Sequence, residues 1–114
     1  MPVISTTTNV KISHEKEIEL KTELGKAIAV LPGKSERWLM CEFYDDTHMY
    51  FAGSGDEPIA FIDVGIFGDA QGQPFDKMTE VLTEIYGRVL GVAPDKMYVR
   101  YNAGRYWGWN GSNF

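Results

Sequence analysis

One cysteine, Cys41, is all the thiol in this chain of 114 residues. A lone cysteine excludes an intrachain disulfide, so the fold has no covalent staple. It fits a reducing compartment. Cys41 sits mid-strand among apolar neighbours and reads as a buried thiol rather than a nucleophile. Histidine is nearly as scarce. His14 and His48 have no partners at metal-ligand spacing, so both read as structural or solvated and no metal is expected. Long apolar runs are missing too: none approaches the ~20 residues of a membrane helix, so no membrane insertion is expected. The segment from Met1 to Glu17 has no charged start followed by an apolar core, hence no secretory signal is expected. The expected location is the cytoplasm, or outside the cell by a route that uses no signal peptide. Positive charge is thin and dispersed. Lys and Arg number 11 against 16 Asp and Glu, a net charge of -5, and no basic run offers a footing for nucleic acid. No serine elbow or phosphate loop is present; Gly65-Ile66-Phe67-Gly68 reads as a strand end.

What the chain does have is an ordinary globular balance, 44% apolar and 24% charged, at the length of a single domain spanning residues 1–114. Its pattern reads as a strand–helix–strand unit used twice. Pro2 to Thr8 is short and β-branched, a strand by propensity. Ser13 is placed as an N-cap, with Glu15 and Glu17 in the favourable first turn. Leu20, Leu24, Ala27, Ile28 and Leu31 form one helical stripe that Pro32-Gly33 ends. Arg37 to Tyr44 reads as the second strand, with Leu39, Cys41 and Phe43 on an apolar face. Ile59 to Phe67 is a largely apolar run, the mark of an interior strand. Phe75, Met78, Val81, Leu82, Ile85, Val89 and Leu90 make the second helical stripe, closed by Gly91. Lys96 to Tyr101 is the matching strand.

Two such units predict an α/β (α+β) fold: a four-stranded mixed sheet with both helices on one face. Apolar residues on both faces of several strands imply that the bare face is covered by another subunit. The tail from Tyr106 to Phe114, rich in aromatic rings, is expected to be tucked against something.

Pro2 is the residue with chemical promise. If Met1 is removed, as is common before a small residue, Pro2 becomes a chain-terminal secondary amine. In an apolar, cation-lined pocket such an amine loses its proton near neutral pH and serves as a general base. With Met1 attached the same nitrogen is an amide and has no basicity. Lys34, in the loop after the first helix, and Arg100, on the last strand, are the candidate cations.

The order and spacing of several short stretches carry a resemblance. Met1-Pro2, Asn9-Val10, Gly33-Lys34, Phe51 through Pro58, Val64-Gly65, Pro94 through Tyr98 and Gly108 through Phe114 together resemble the macrophage migration inhibitory factor and D-dopachrome tautomerase family. The resemblance spans essentially the whole chain. It implies a homotrimer of paired βαβ repeats with active sites at subunit interfaces. Residue by residue, it implies Pro2 as catalytic base, Lys34 on the substrate carboxylate and Val64 on the pocket floor beside Pro2. Tyr98 would come from the neighbouring subunit, with Trp109 and Phe114 near the rim. Arg100 stands where better-known animal members tend to be neutral. As a second cation it would lower the Pro2 pKa further and strengthen carboxylate binding. Those members also carry a Cys-x-x-Cys where this chain has Ile59-Ala60-Phe61-Ile62, so a thiol–disulfide activity of that motif cannot operate.

The implied activity is a cofactor-free isomerase, a phenylpyruvate-type keto–enol tautomerase acting on a small aryl or alkyl keto or enol acid. The competing expectation is a cytokine-like protein that binds a cell-surface receptor, its catalysis vestigial. A weaker third is a related reaction on unsaturated acids, such as decarboxylation or hydration.

Overall fold

The computed structural model describes all residues, 1–114. Strand β1 (Pro2–Thr8) alternates buried and half-buried positions along its length, as a strand with one face against a core must. Helix α1 (His14–Ala27) starts where Ser13 accepts a hydrogen bond from the Lys16 N–H. Its last turn tightens into a 3₁₀ turn (Ile28–Val30), and the stripe from Leu20 to Leu31 is buried as expected. Strand β2 (Met40–Tyr44) runs parallel to β1. The second unit repeats the first: β3 (Ala60–Phe67), α2 (Phe75–Leu90) and β4 (Met97–Gly104), with β3 and β4 parallel. Helix α2 ends on Gly91, whose φ of 72° is the left-handed conformation that glycine adopts without steric cost.

The two units join through antiparallel β1 and β3, giving the mixed sheet order β2-β1-β3-β4. Ile4, Ile62, Val64 and Ile66 point from the sheet into one core with Leu20, Leu24, Met78 and Leu82 from the helices. The expected architecture of a four-stranded mixed sheet and two helices is therefore what forms.

The core holds one buried polar pair. The Thr6 hydroxyl bonds the Tyr86 hydroxyl, both fully buried. Burial pushes the Tyr86 phenol upward in pKa, so it stays neutral. Tyr86→Phe strands the Thr6 hydroxyl, and urea unfolding should show a loss of about 1–3 kcal/mol. A loss under about 0.5 kcal/mol would mean that Thr6 finds another partner.

Three expectations need correction. Arg37 and Trp38 are not in the second strand: Glu36–Trp38 forms a 3₁₀ turn, and the Trp38 ring packs edge-on against Trp109 at 5.1 Å. The open sheet face is not uniformly apolar. Its centre is a polar knot in which Asp63 accepts from Arg100 at 2.7 Å and from Asn102 at 2.7 Å, while exposed apolar side chains gather on the edge strands at Met40, Tyr44 and Tyr98. Finally, Tyr106 is not tucked in; it is 96% exposed. The rest of the tail folds back as a hairpin, β5 (Gly108–Trp109) and β6 (Ser112–Asn113), turning at Asn110 and Gly111 with φ of 52° and 86°.

Candidate active site

The antiparallel pairing of β1 and β3 fixes where the chain begins. Pro2 lies opposite Ile66, and the Met1 carbonyl accepts from the Phe67 N–H at 3.1 Å. Gly33, at φ 77°, reverses the chain after Pro32 and turns Lys34 back toward that end of the sheet. Lys34 Nζ donates to the Phe67 carbonyl at 2.9 Å. One residue, Phe67, thus tethers both the N-terminus and Lys34 through its two backbone groups. The tail hairpin closes the other side. The Phe114 N–H donates to the Trp107 carbonyl at 3.1 Å, and the Phe114 ring meets the Phe67 ring edge-on at 5.3 Å.

The result is a cavity of about 340 Å³ lined by Met1, Lys34, Trp38, Phe67, Trp109 and Phe114. The Met1 amine has its pKa lowered, first by burial and second by the positive charge of Lys34. An amine at this place is therefore neutral more readily than an ordinary chain terminus. A second cavity, of about 430 Å³, adjoins it and includes Pro2, Arg37 and Trp107; both share Met1, Trp38 and Trp109.

Of the expected site residues, Pro2, Lys34, Trp109 and Phe114 come together within one chain. Val64 does not join them. It is fully buried on the helix-facing side, opposite Ile4, and cannot line an open cavity. The role of cavity wall falls to Phe67, next to the residue that pairs with Pro2. Tyr98 pairs with Phe61, five positions along β3 from Ile66, which is roughly 17 Å from Pro2. Within one chain it stays apart from the amine. Arg100 is likewise on the open face, and it is not a free cation: Asp63 holds it, and its guanidinium lies over the Phe61 ring at 5.1 Å.

Phe67, Trp38, Trp107 and Arg37 are site residues the sequence reasoning missed. Counting along β3 from an antiparallel partner of Pro2 would have found Phe67. The Asn110-Gly111 turn signal would have found the hairpin that brings Trp107 in. Elsewhere, burial first and Glu36 second push the Cys41 thiol up to about 11, so it is no nucleophile at neutral pH. His48 lines a polar cavity with Asp46 and Asp56 near Asn9, at the far end of β1 from Pro2.

A mixed sheet made of two βαβ units, with the chain terminus and a lysine in an aromatic cavity at one end, defines a class of small paired-repeat proteins. A sequence profile of the macrophage migration inhibitory factor family matches residues 1–114, and the chain belongs to that family. Among solved structures it is similar to Leishmania major MIF2 (30% identity, TM-score 0.89, covering 100% of this chain and 97% of that one). It is also similar to the homologue from Prochlorococcus marinus (25%, TM-score 0.80, 98% of each chain). The Toxoplasma gondii protein is comparable (25%, TM-score 0.81, 98% and 99%). No curated protein matches at a significant level. The family includes members with tautomerase activity and cytokine-like members, and its proteins generally form homo-oligomers. No helix is long and apolar enough to cross a membrane.

Proposed function

We propose that the chain, once free of Met1, is a keto–enol tautomerase of small α-keto acids with Pro2 as general base. The observation that carries this reading is the setting of the N-terminal amine: an aromatic cavity beside Lys34, where burial and charge both favour the neutral base. Lys34 anchors the substrate carboxylate. Removing Met1 also releases the Phe67 N–H from the Met1 carbonyl, leaving a second donor for the same carboxylate. Neutral Pro2 nitrogen takes the enol O–H proton as the oxygen closes to a carbonyl, and the protonated amine returns a proton to carbon. The sum is an isomerisation with nothing added or lost. Trp38, Trp109 and Phe114 give apolar walls for an aryl or alkyl group. The remote Tyr98 and the exposed apolar edges at Met40, Tyr44 and Tyr98 support a homotrimer in which Tyr98 of one copy approaches the cavity of the next.

Intact mass paired with a phenylpyruvate tautomerase assay tests the reading. Turnover should track the Met1-free fraction across preparations with and without Met1. Equal turnover by protein that keeps Met1 rejects Pro2 as the base, because an amide nitrogen cannot take the proton.

A further inference from the structure

We propose that Arg37 is a second carboxylate-binding cation of this site and that the molecule it takes is a small dicarboxylate, a keto or enol diacid. The inference rests on the tautomerase reading for its chemistry, though not for its geometry.

The chain terminus borders two adjoining cavities, with Lys34 in one and Arg37 in the other. Arg37 is singular among the arginines. Arg88 holds Glu84 at 2.8 Å, Arg100 holds Asp63 at 2.7 Å and Arg105 holds Asp69 at 2.6 Å. Arg37 has no carboxylate partner, although acidic residues outnumber basic ones in the chain. Its neighbour Glu36 is turned away, its carboxylate lying so close to Gly25 on α1 that a Cβ there would sit 1.9 Å from it. No Asp or Glu side chain lines either cavity. An acidic protein thus keeps its carboxylates out of the one place where two unpaired cations meet an amine.

The guanidinium is also oriented. It lies over the Trp38 ring, 5.2 Å from the centroid, and Trp38 is in turn braced by Trp109. That cation–π contact holds the guanidinium without using its N–H donors on a carboxylate, so they remain for a planar, bidentate one. Lys34 and Arg37 are three positions apart, so their Cα atoms are separated by no more than about 11 Å. Both side chains are long and flexible enough to close on the two carboxylates of a short diacid from Cα atoms no farther apart than that, beside the chain terminus that both cavities share. A monoacid uses only the Lys34 end. The second cation expected from Arg100 is supplied, in this reading, from within the same chain by Arg37.

Binding can be read without turnover. NMR titration of Met1-free protein with unreactive glutarate and butyrate gives a diacid-to-monoacid affinity ratio. The wild type should favour glutarate by about tenfold or more, and Arg37→Gln should cut that ratio by about tenfold to a hundredfold, the worth of a charge-assisted hydrogen bond. Arg37→Lys should restore part of it. Arg37 is exposed, so the variants should fold as the wild type does. The proposal is overturned if the wild type shows no preference for the diacid, or if Arg37→Gln leaves the ratio unchanged. Turnover of the enol forms of oxaloacetate and phenylpyruvate is the second arm. An intact glutarate preference with no turnover of either acid rejects the tautomerase reading and leaves the diacid site standing.

Discussion

Pro2→Gly in the Met1-free chain should lower kcat by about 10²- to 10⁴-fold, the range for loss of a positioned general base. Glycine keeps an α-amine at the chain start, so the effect isolates what the ring supplies. The pyrrolidine fixes φ and holds the nitrogen lone pair in one direction, and Pro2 is buried against β3. A glycine amine is primary, rotates freely and is better hydrated. The stability cost should be small, because only one residue at a strand end changes. Circular dichroism should be unaltered and thermal unfolding lowered by a few degrees at most, roughly 1 kcal/mol for a chain of this size. The variant must be checked by intact mass for loss of Met1. Wild-type turnover in a confirmed Met1-free glycine variant would show that any α-amine at this position serves and would remove the proline ring from the mechanism, and a comparable loss in folding would make the result one about structure.

The parts of this fold that can be read from sequence are those with local signals. Ser13 before α1 and Gly91 after α2 mark their ends because capping depends on a few neighbouring residues. The stripes of Leu20, Leu24 and Met78, Leu82, Ile85 survive because helical period is local as well. The start of β2 was misplaced for a different reason. Trp38 has a strong strand propensity, but it sits in a turn whose packing is long-range: its ring meets Trp109, some seventy residues away, and Glu36 lies against Gly25 of α1. Val64 was implied by the family resemblance, while its place in the alternation of β3 puts it with Ile62 and Ile66 on the buried face. Alternation gives the parity of β3, and the site depends on which residue of β3 faces the start of β1, a matter of long-range register. Arg100 looked like a cation free to act, and Asp63 on the adjacent strand neutralises it. Arg37 reads from sequence only as the start of the second strand. Nothing in its sequence neighbourhood announces that Glu36 turns toward α1 and leaves it unpaired.

Lys34→Gln should cost about one to two orders of magnitude in kcat/KM, the usual loss when a charge-assisted bond to the substrate carboxylate is removed. The pH profile separates its two duties. The catalytic amine must be neutral, so activity rises with pH through the amine pKa and levels off above it. In the folded chain the Met1 amine has its pKa below the ordinary α-amino value, with burial the larger cause and Lys34 the second, and the Pro2 amine left by removal of Met1 is expected to feel the same two causes. Deleting the lysine charge removes the second cause and leaves the first. The acid limb should therefore move upward, toward the ordinary value without reaching it. Lys34→Arg, which keeps the charge, should hold the limb near its wild-type position even if it anchors the carboxylate less well. Loss of kcat/KM with an unmoved limb would confine Lys34 to carboxylate binding and assign the low pKa to burial alone. A kcat/KM within about threefold of wild type would take Lys34 out of the site, since that is under 1 kcal/mol of barrier. The same measurement on the diacid gives the sharper contrast. With Arg37 still holding one carboxylate, the lysine variant should lose less on the diacid than on a monoacid, whose single carboxylate then has only the Phe67 N–H.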